Sequence, residues 1–228
     1  FFWSDPRVIA DDHASPEQFR AAMSAIHVGD TIKITGSNRH PLSDALLLDH
    51  VDLSGAHLVD LGASDGSTSV ELVRRLPDFA SFVIADLFFH LDVVHVGSHD
   101  LFVMPDGEVI LVVGRRLVGW PSRSRMVDRI YRPLLRRAPT ASDRRKLVLL
   151  NPEARRLIAD DARVRTVVHD IFHPWEGTTP DVIKVANVLR RLYFSDERIT
   201  AAVRVLLASL ADGGHLLLVD NPRIAGIA

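Results

Sequence analysis

Residues 57–87 constrain the fold more than any other stretch of this chain. An apolar run, HLVDLG, is followed by a turn containing Gly62 and Gly66, a helical stretch led by Ser and Thr, STSVELVRRL, and a second apolar run, SFVIADL. Strands that are apolar at consecutive positions belong to a sheet buried on both faces, and two parallel strands must be joined by a crossover. Further runs repeat the pattern downstream: RVRTVVHDIF, DVIKVANVL, the long helix SDERITAAVRVLLASL, and GHLLLVDN. Strands interleaved with helices predict an α/β fold, a doubly wound and mostly parallel sheet with helices on both faces.

The remainder is arranged around that core. Residues 1–55 are expected to form an N-terminal helical cap. Within it, SPEQ opens a helix from Ser15 to about Ile26, DTIKITG alternates like a short strand, and residues 42–51 form a second helix. Residues 56–228 then form the main domain, interrupted by an insertion at about 90–150. The insertion contains a hairpin around Pro105-Asp106-Gly107 and a helix with Met126, Val127, Ile130, Tyr131, Leu134 and Leu135 on one face. Pro133 is expected to kink or split that helix.

Composition removes several kinds of chemistry. No cysteine is present, which rules out disulfides, thiolate nucleophiles and cysteine-bound metals, and fits a reducing cytoplasm. The formal net charge of −2 supplies no global attraction for nucleic acid or an anionic membrane. No stretch approaches the roughly 18 apolar residues that would suggest a membrane-spanning helix.

The turn itself admits two readings. Gly62-Ala63-Ser64-Asp65-Gly66 spells G-x-S-x-G, the nucleophile elbow of α/β-hydrolases. That elbow needs an acid and then a histidine downstream and an oxyanion loop upstream. No HGGG-type loop precedes the motif, and the last histidine, His215, falls inside a predicted strand. The alternative is a glycine turn that cradles a nucleotide-like cofactor against the amino end of the helix beginning near Ser67. Asp86 supports this second reading, because it ends the next strand at the spacing where an acidic side chain accepts ribose hydroxyls.

Four motifs in order then resemble one family, the class I S-adenosylmethionine (SAM)-dependent methyltransferases. LVDLGASDGSTSVEL resembles its first motif, with Ser64 in place of the middle glycine. VIADL resembles the acidic end of its second strand, VVHDIF its third strand, and DVIKVANVL through GHLLLVD its fourth strand, helix and fifth strand. The resemblance spans residues 56–220 apart from the insertion and implies a Rossmann-like fold binding SAM. Asp60 with the backbone of Gly62, Ala63, Ser64 and Gly66 would hold the methionine part. Asp86, followed by Leu87, would hold the ribose, Asp170 with Ile171 the adenine, and Asn187 would face the methyl group. The implied activity is O- or N-methylation of a small-molecule or carrier-bound acceptor. Many small-molecule members carry a histidine just after the fourth strand, where this chain has Arg190 and Arg191. Arg190 and His173 are therefore the candidate catalytic residues. A protein-carboxylate acceptor, a different SAM reaction such as propylamine transfer, and a catalytically silent binding module are the alternatives.

Other features have plainer explanations. HVGSH and HDIFH have histidines at i and i+4, but on strand and turn segments rather than a helix, so no metal site is expected. Eleven basic residues lie between Arg115 and Lys146 against Asp128 and Asp143, a run that ordinarily forms a solvated face and alternatively receives an anionic acceptor. Nucleic acid and membrane are not expected partners. Finally, LLLV at 216–219 would leave an apolar sheet edge, which predicts cover from a further C-terminal segment, from the N-terminal region, or from a second copy in a homodimer.

Overall fold

The computed structural model describes residues 4–11, 13–28, 31–33, 39–138 and 143–220. In chain order the elements are α1 (Pro16–Met23), β1 (His27–Val28), β2 (Thr31–Ile32), α2 (Pro41–His50), β3 (Ala56–Leu61), α3 (Ser67–Val73) and β4 (Phe79–Asp86). There follow β5 (His90–Val96), β6 (His99–Val103), β7 (Val109–Val113), β8 (Val118–Gly119), α4 (Arg125–Leu135) and β9 (Arg144–Val148). The last elements are α5 (Pro152–Asp160), β10 (Val164–Val168), β11 (Val182–Ala186), α6 (Asp196–Ser209) and β12 (His215–Val219). The chain divides into two units, one of residues 37–87 and 154–228, the other of residues 1–36 and 88–153.

The first unit contains the apolar runs that the sequence marks as strands. They form a five-stranded sheet in the order β10-β4-β3-β11-β12, with every pairing parallel. The chain starts in the middle of the sheet, works outward to β10, then crosses to the other side, which is the winding of a doubly wound α/β fold. Val59, Leu61, Val83, Ala85, Ile183 and Val185 share one face and pack with Leu206 of α6. Asp60 and Lys184, paired in register on β3 and β11, share the other, which Asp44 of α2 and Ser69 of α3 reach. Strand β12 is the edge of the described sheet, with Leu218 exposed; residues 221–228, on which the expected cover bears, lie outside the described residues.

In the second unit the inserted segment is larger than a hairpin and a helix. It forms a five-stranded antiparallel sheet in the order β8-β7-β6-β5-β9. The expected β6–β7 hairpin is present. Gly107 takes φ +94° in its turn, and the Glu108 N–H donates to the Asp106 carboxylate at 3.0 Å. One core cluster joins Leu91, Phe102 and Leu111 to Phe19, Ala22 and Met23 of α1, a helix whose Ser15 and Gln18 form a reciprocal capping box. A second joins Val94, Val96, Leu101, Val103 and Val112 to Tyr131, Leu134 and Leu135 of α4. Thus the N-terminal segment packs with the insertion, and α2 with the parallel sheet. Helix α4 runs on through Pro133, so the helix is not split there. Proline disrupts a helix through the missing N–H and the clash with the carbonyl four residues back. Here only Leu134 and Leu135 follow it, so a single terminal hydrogen bond is forgone.

Candidate functional site

The turn between β3 and α3 is built from alternating left-handed residues. Gly62 and Gly66 both have φ +77°, and Ser64 between them has φ +58°. Gly62 has a second reason to be glycine, because any Cβ there would be driven into the side chain of Val188, just past the end of β11. Among the described residues, only Ser64 and Asn187 are non-glycine residues with positive φ. They follow the ends of the neighbouring strands β3 and β11, and strained backbone of this kind gathers at ligand sites. Asn187 is held there by its N–H, which donates to the Val219 carbonyl at 2.7 Å.

The turn is tied to β4 by its own amides. The N–H groups of Gly62 and Ala63 donate to the Ala85 carbonyl at 2.8 and 3.0 Å, and that of Ser64 donates to Asp86 Oδ2 at 2.7 Å. The helix N-terminus is engaged as well. Asp65, fully buried, accepts from the Ser67 N–H and from its hydroxyl, each at 3.0 Å. An internal carboxylate thus meets the positive end of α3 and takes its first N–H, that of Ser67. Asp60, also buried, accepts from the Ser69 hydroxyl at 2.7 Å.

Three buried carboxylates, Asp60, Asp65 and Asp86, therefore gather at and just below the carboxyl ends of β3 and β4. Leu87, the residue after Asp86, is exposed. The end of β10 joins the same edge through the His169 N–H, which donates to the Asp86 carbonyl at 3.0 Å. Beyond it, Asp170 closes its own turn by accepting from the Phe172 N–H at 3.0 Å, and its other oxygen lies 3.3 Å from His173 Nδ1. Ile171 is buried in the core beneath. The His173 side chain is 72% exposed, so it stands in solvent rather than within a pocket.

Arg190 also has a definite place. Its Nε lies 2.7 Å from Asp220 Oδ1, linking the segments that follow β11 and β12, and its side chain is nearly buried. A guanidinium held this way cannot act as a base, because it stays protonated. Arg191, by contrast, is exposed and pairs with Asp196.

Sequence reasoning missed several residues here. Phe172 and Phe194 meet edge to face at 5.0 Å, and the Arg198 guanidinium lies over both rings, joining the β10 and β11 loops. Nothing in local spacing pairs residues so far apart. Asp65 did have a signal, since an aspartate just before a Ser/Thr-led helix is a capping pattern. Lys184 had one too, as a charge inside the apolar run VIKVA demands a buried partner.

No family model matches the chain, and no curated protein matches it. Among solved structures it is similar to the N-methyltransferase NodS from Bradyrhizobium japonicum WM9 in complex with S-adenosyl-L-homocysteine, at 17% identity over 91% of this chain and 72% of that one, with a TM-score of 0.42. It is similar to an O-methyltransferase family protein from Burkholderia thailandensis at 14% identity, over 100% of this chain and 48% of that one, with a TM-score of 0.40. A third is a chain from Methanococcus maripaludis assigned provisionally as an S-adenosyl-L-methionine-dependent methyltransferase, at 14% identity over 78% of this chain and 54% of that one, with a TM-score of 0.40. The chain thus spans about half the length of two of these three. The functional reading rests on the geometry of its own residues and not on these likenesses.

Proposed function

We propose that the parallel-sheet unit binds S-adenosyl-L-methionine and that the protein transfers its methyl group to a small-molecule or carrier-bound acceptor, by O- or N-methylation. The observation that carries this reading is the charge and hydrogen-bond state of the turn. A dinucleotide site offers amides and a helix dipole to a pyrophosphate. Here the amides of Gly62, Ala63 and Ser64 are spent on β4, and Asp65 sets its negative charge against the helix N-terminus by taking the Ser67 N–H. What the edge offers instead is carboxylate, which suits a ligand carrying positive charge and hydroxyl donors. SAM has a sulfonium, an ammonium and two ribose hydroxyls, and the donor set fits it.

In this reading Asp60 and the Gly62–Gly66 backbone hold the methionine end and Asp86 the ribose. Asp170 and Ile171 border the adenine, and Asn187 fixes the edge nearest the methyl group. The bound cofactor supplies a methyl group already on an excellent leaving group, so positioning and exclusion of water account for much of the rate. Arg190, committed to Asp220, serves as a structural and electrostatic element rather than a base. That favours an acceptor that needs no proton removed, a carboxylate among them, and His173 is left as the candidate base for any other. The arginine-rich segment from Arg115 to Lys146 is the surface on which an anionic acceptor or carrier would rest.

Calorimetric titration with SAM and S-adenosylhomocysteine tests the proposal. Binding of both, lost in a folded Asp86→Ala variant, supports it. Binding of neither to the wild-type protein refutes it.

A further inference from the structure

A buried ion pair beneath the proposed cofactor turn takes no part in the reading above. Lys184 lies in the middle of β11 and is 2% exposed. Its Nζ donates to Asp44 Oδ1, on α2, at 2.6 Å. On the adjacent strand Lys184 is in register with Asp60, so the two side chains stand on the same face of the sheet. One ammonium is thus buried among two carboxylates on different elements, and it bonds to the more distant in sequence, Asp44. Asp60 is fixed from another side by the Ser69 hydroxyl. His40, at the start of α2 and also buried, completes the cluster; burial and the Lys184 charge push its pKa down to about 4, while the Asp60 charge opposes them.

Buried charges of opposite sign pair wherever geometry allows, because an unpaired one is costly in a medium of low dielectric. A lysine ammonium on its flexible four-carbon stem can swing between acceptors on one face. Were Asp44 absent, Asp60 would be the carboxylate next in line, and it would be neutralised from beneath.

We propose that Asp44 is a positioning residue that insulates the cofactor site: by holding Lys184, it leaves the negative charge of Asp60 for the cationic methionine end of the cofactor. The inference rests on the SAM-binding reading and assigns to α2, outside the four motifs, a role in ligand affinity. It also accounts for a lysine in a strand, β11, otherwise built from aliphatic residues. The ammonium fastens α2 over β11, and Asp44 confines its charge.

The test measures S-adenosylhomocysteine and SAM affinity by calorimetry, beside thermal melting, for wild type, Asp44→Asn, Lys184→Met and the double variant. Insulation predicts at least a roughly tenfold affinity loss in Asp44→Asn, as when a charge-assisted contact is lost. It also predicts wild-type or tighter affinity in Lys184→Met, and restored affinity in the double variant, whatever the order of the melting temperatures. A purely structural pair would weaken binding in both single variants in step with their melting. Unchanged affinity in folded Asp44→Asn, or a double variant as weak as Asp44→Asn, overturns the proposal. Should Asp44→Asn fail to fold, Lys184→Met decides: weaker binding in that folded variant overturns insulation, and equal or tighter binding upholds it. Wild-type protein that binds neither ligand removes the SAM reading and this inference with it.

Discussion

The two five-stranded sheets of this protein collect opposite charges by different routes. At the parallel sheet the carboxylates of Asp60, Asp65 and Asp86 are buried, and each accepts a hydrogen bond from a specific neighbour in the β3–α3 region. On the antiparallel unit, Arg125 and Arg129 of α4 and Arg136 just past its end are exposed, as are Arg144 and Arg145 of β9. Beside them Met126 and Ile130 are also exposed, while Tyr131, Leu134 and Leu135 pack on the sheet. Buried, bonded charge is expensive to misplace and so specifies a geometry. Exposed charge is screened over about 8 Å at physiological ionic strength and specifies little beyond attraction. The first arrangement therefore reads as a site, the second as a surface.

The largest expected effect breaks the turn itself. Gly62→Ala combines a left-handed backbone with a Cβ driven into Val188, and it should destabilise the protein by about 3 kcal/mol, the sum of typical αL and overpacking costs. Adding Val188→Ala should recover the steric part only. Denaturant unfolding of the single and double variants checks this, and a neutral Gly62→Ala would show that the close approach of the β3 and β11 turns is not required.

Acid should then loosen the buried side of the comparison while leaving the exposed side alone. His40 faces Lys184, Arg39 and Asp60, and its pKa falls from 6.5 to about 4. A histidine held neutral in the fold contributes stability that is present above the unfolded pKa. That stability is lost as pH falls from 6.5 toward 4, because the unfolded chain takes up the proton first. The loss attributable to this group is at most about 3 kcal/mol. Unfolding free energies measured across that window should slope downward with acid, and His40→Gln should flatten the slope.

Asp86→Ala separates ligand from fold. Charge-assisted hydrogen bonds to ribose hydroxyls contribute roughly 1.5–3 kcal/mol each, so SAM affinity should fall at least about tenfold. The Ser64 N–H would also lose its acceptor, so the melting temperature should drop modestly. Unaltered SAM affinity in the folded variant would remove Asp86 from the site.

Much of this asymmetry was legible in the sequence, and the reason is periodicity. Consecutive apolar runs ending in Asp60-Leu-Gly62 and Ala85-Asp86 announce buried parallel strands, and the structure places them side by side in register. The hairpin at Pro105-Asp106-Gly107 was equally readable from its turn residues. The five-stranded sheet around it was not, because β5 (HLDVVHV) pairs with β9 (RRKLV) across about fifty residues, and local strand patterning does not say which strands meet. Partnerships across long separations were also hidden. Lys184 with Asp44, Arg190 with Asp220, and Phe172 with Phe194 depend on which loops the topology brings together, and no local spacing encodes that.

Ser64→Gly probes the turn more gently. The left-handed conformation costs a non-glycine residue about 1–2 kcal/mol, and glycine gives back about 0.5–1 kcal/mol through the greater freedom of the unfolded chain. The net expectation is stabilisation of about 0.5–1 kcal/mol with SAM affinity unchanged, since the bond to Asp86 comes from the backbone N–H. Stoichiometric labelling of Ser64 by a serine-directed phosphonate would instead return the G-x-S-x-G motif to hydrolase chemistry.

The smallest effect on the fold should come from the exposed side. Arg132→Glu with Arg136→Glu reverses two surface charges, of which Arg132 makes an exposed pair with Asp128 one helical turn away. Such pairs contribute about 0.3–0.5 kcal/mol, so stability should move by less than about 1 kcal/mol, and S-adenosylhomocysteine affinity should not move. Use of an anionic acceptor should weaken, and the deficit relative to wild type should shrink as salt is raised, because screening removes the attraction that the reversal destroys. A deficit that persists unchanged in high salt would mean that these arginines make short, specific contacts. The basic face would then be a built site, and the contrast between the two sheets would lie in chemistry rather than in specificity.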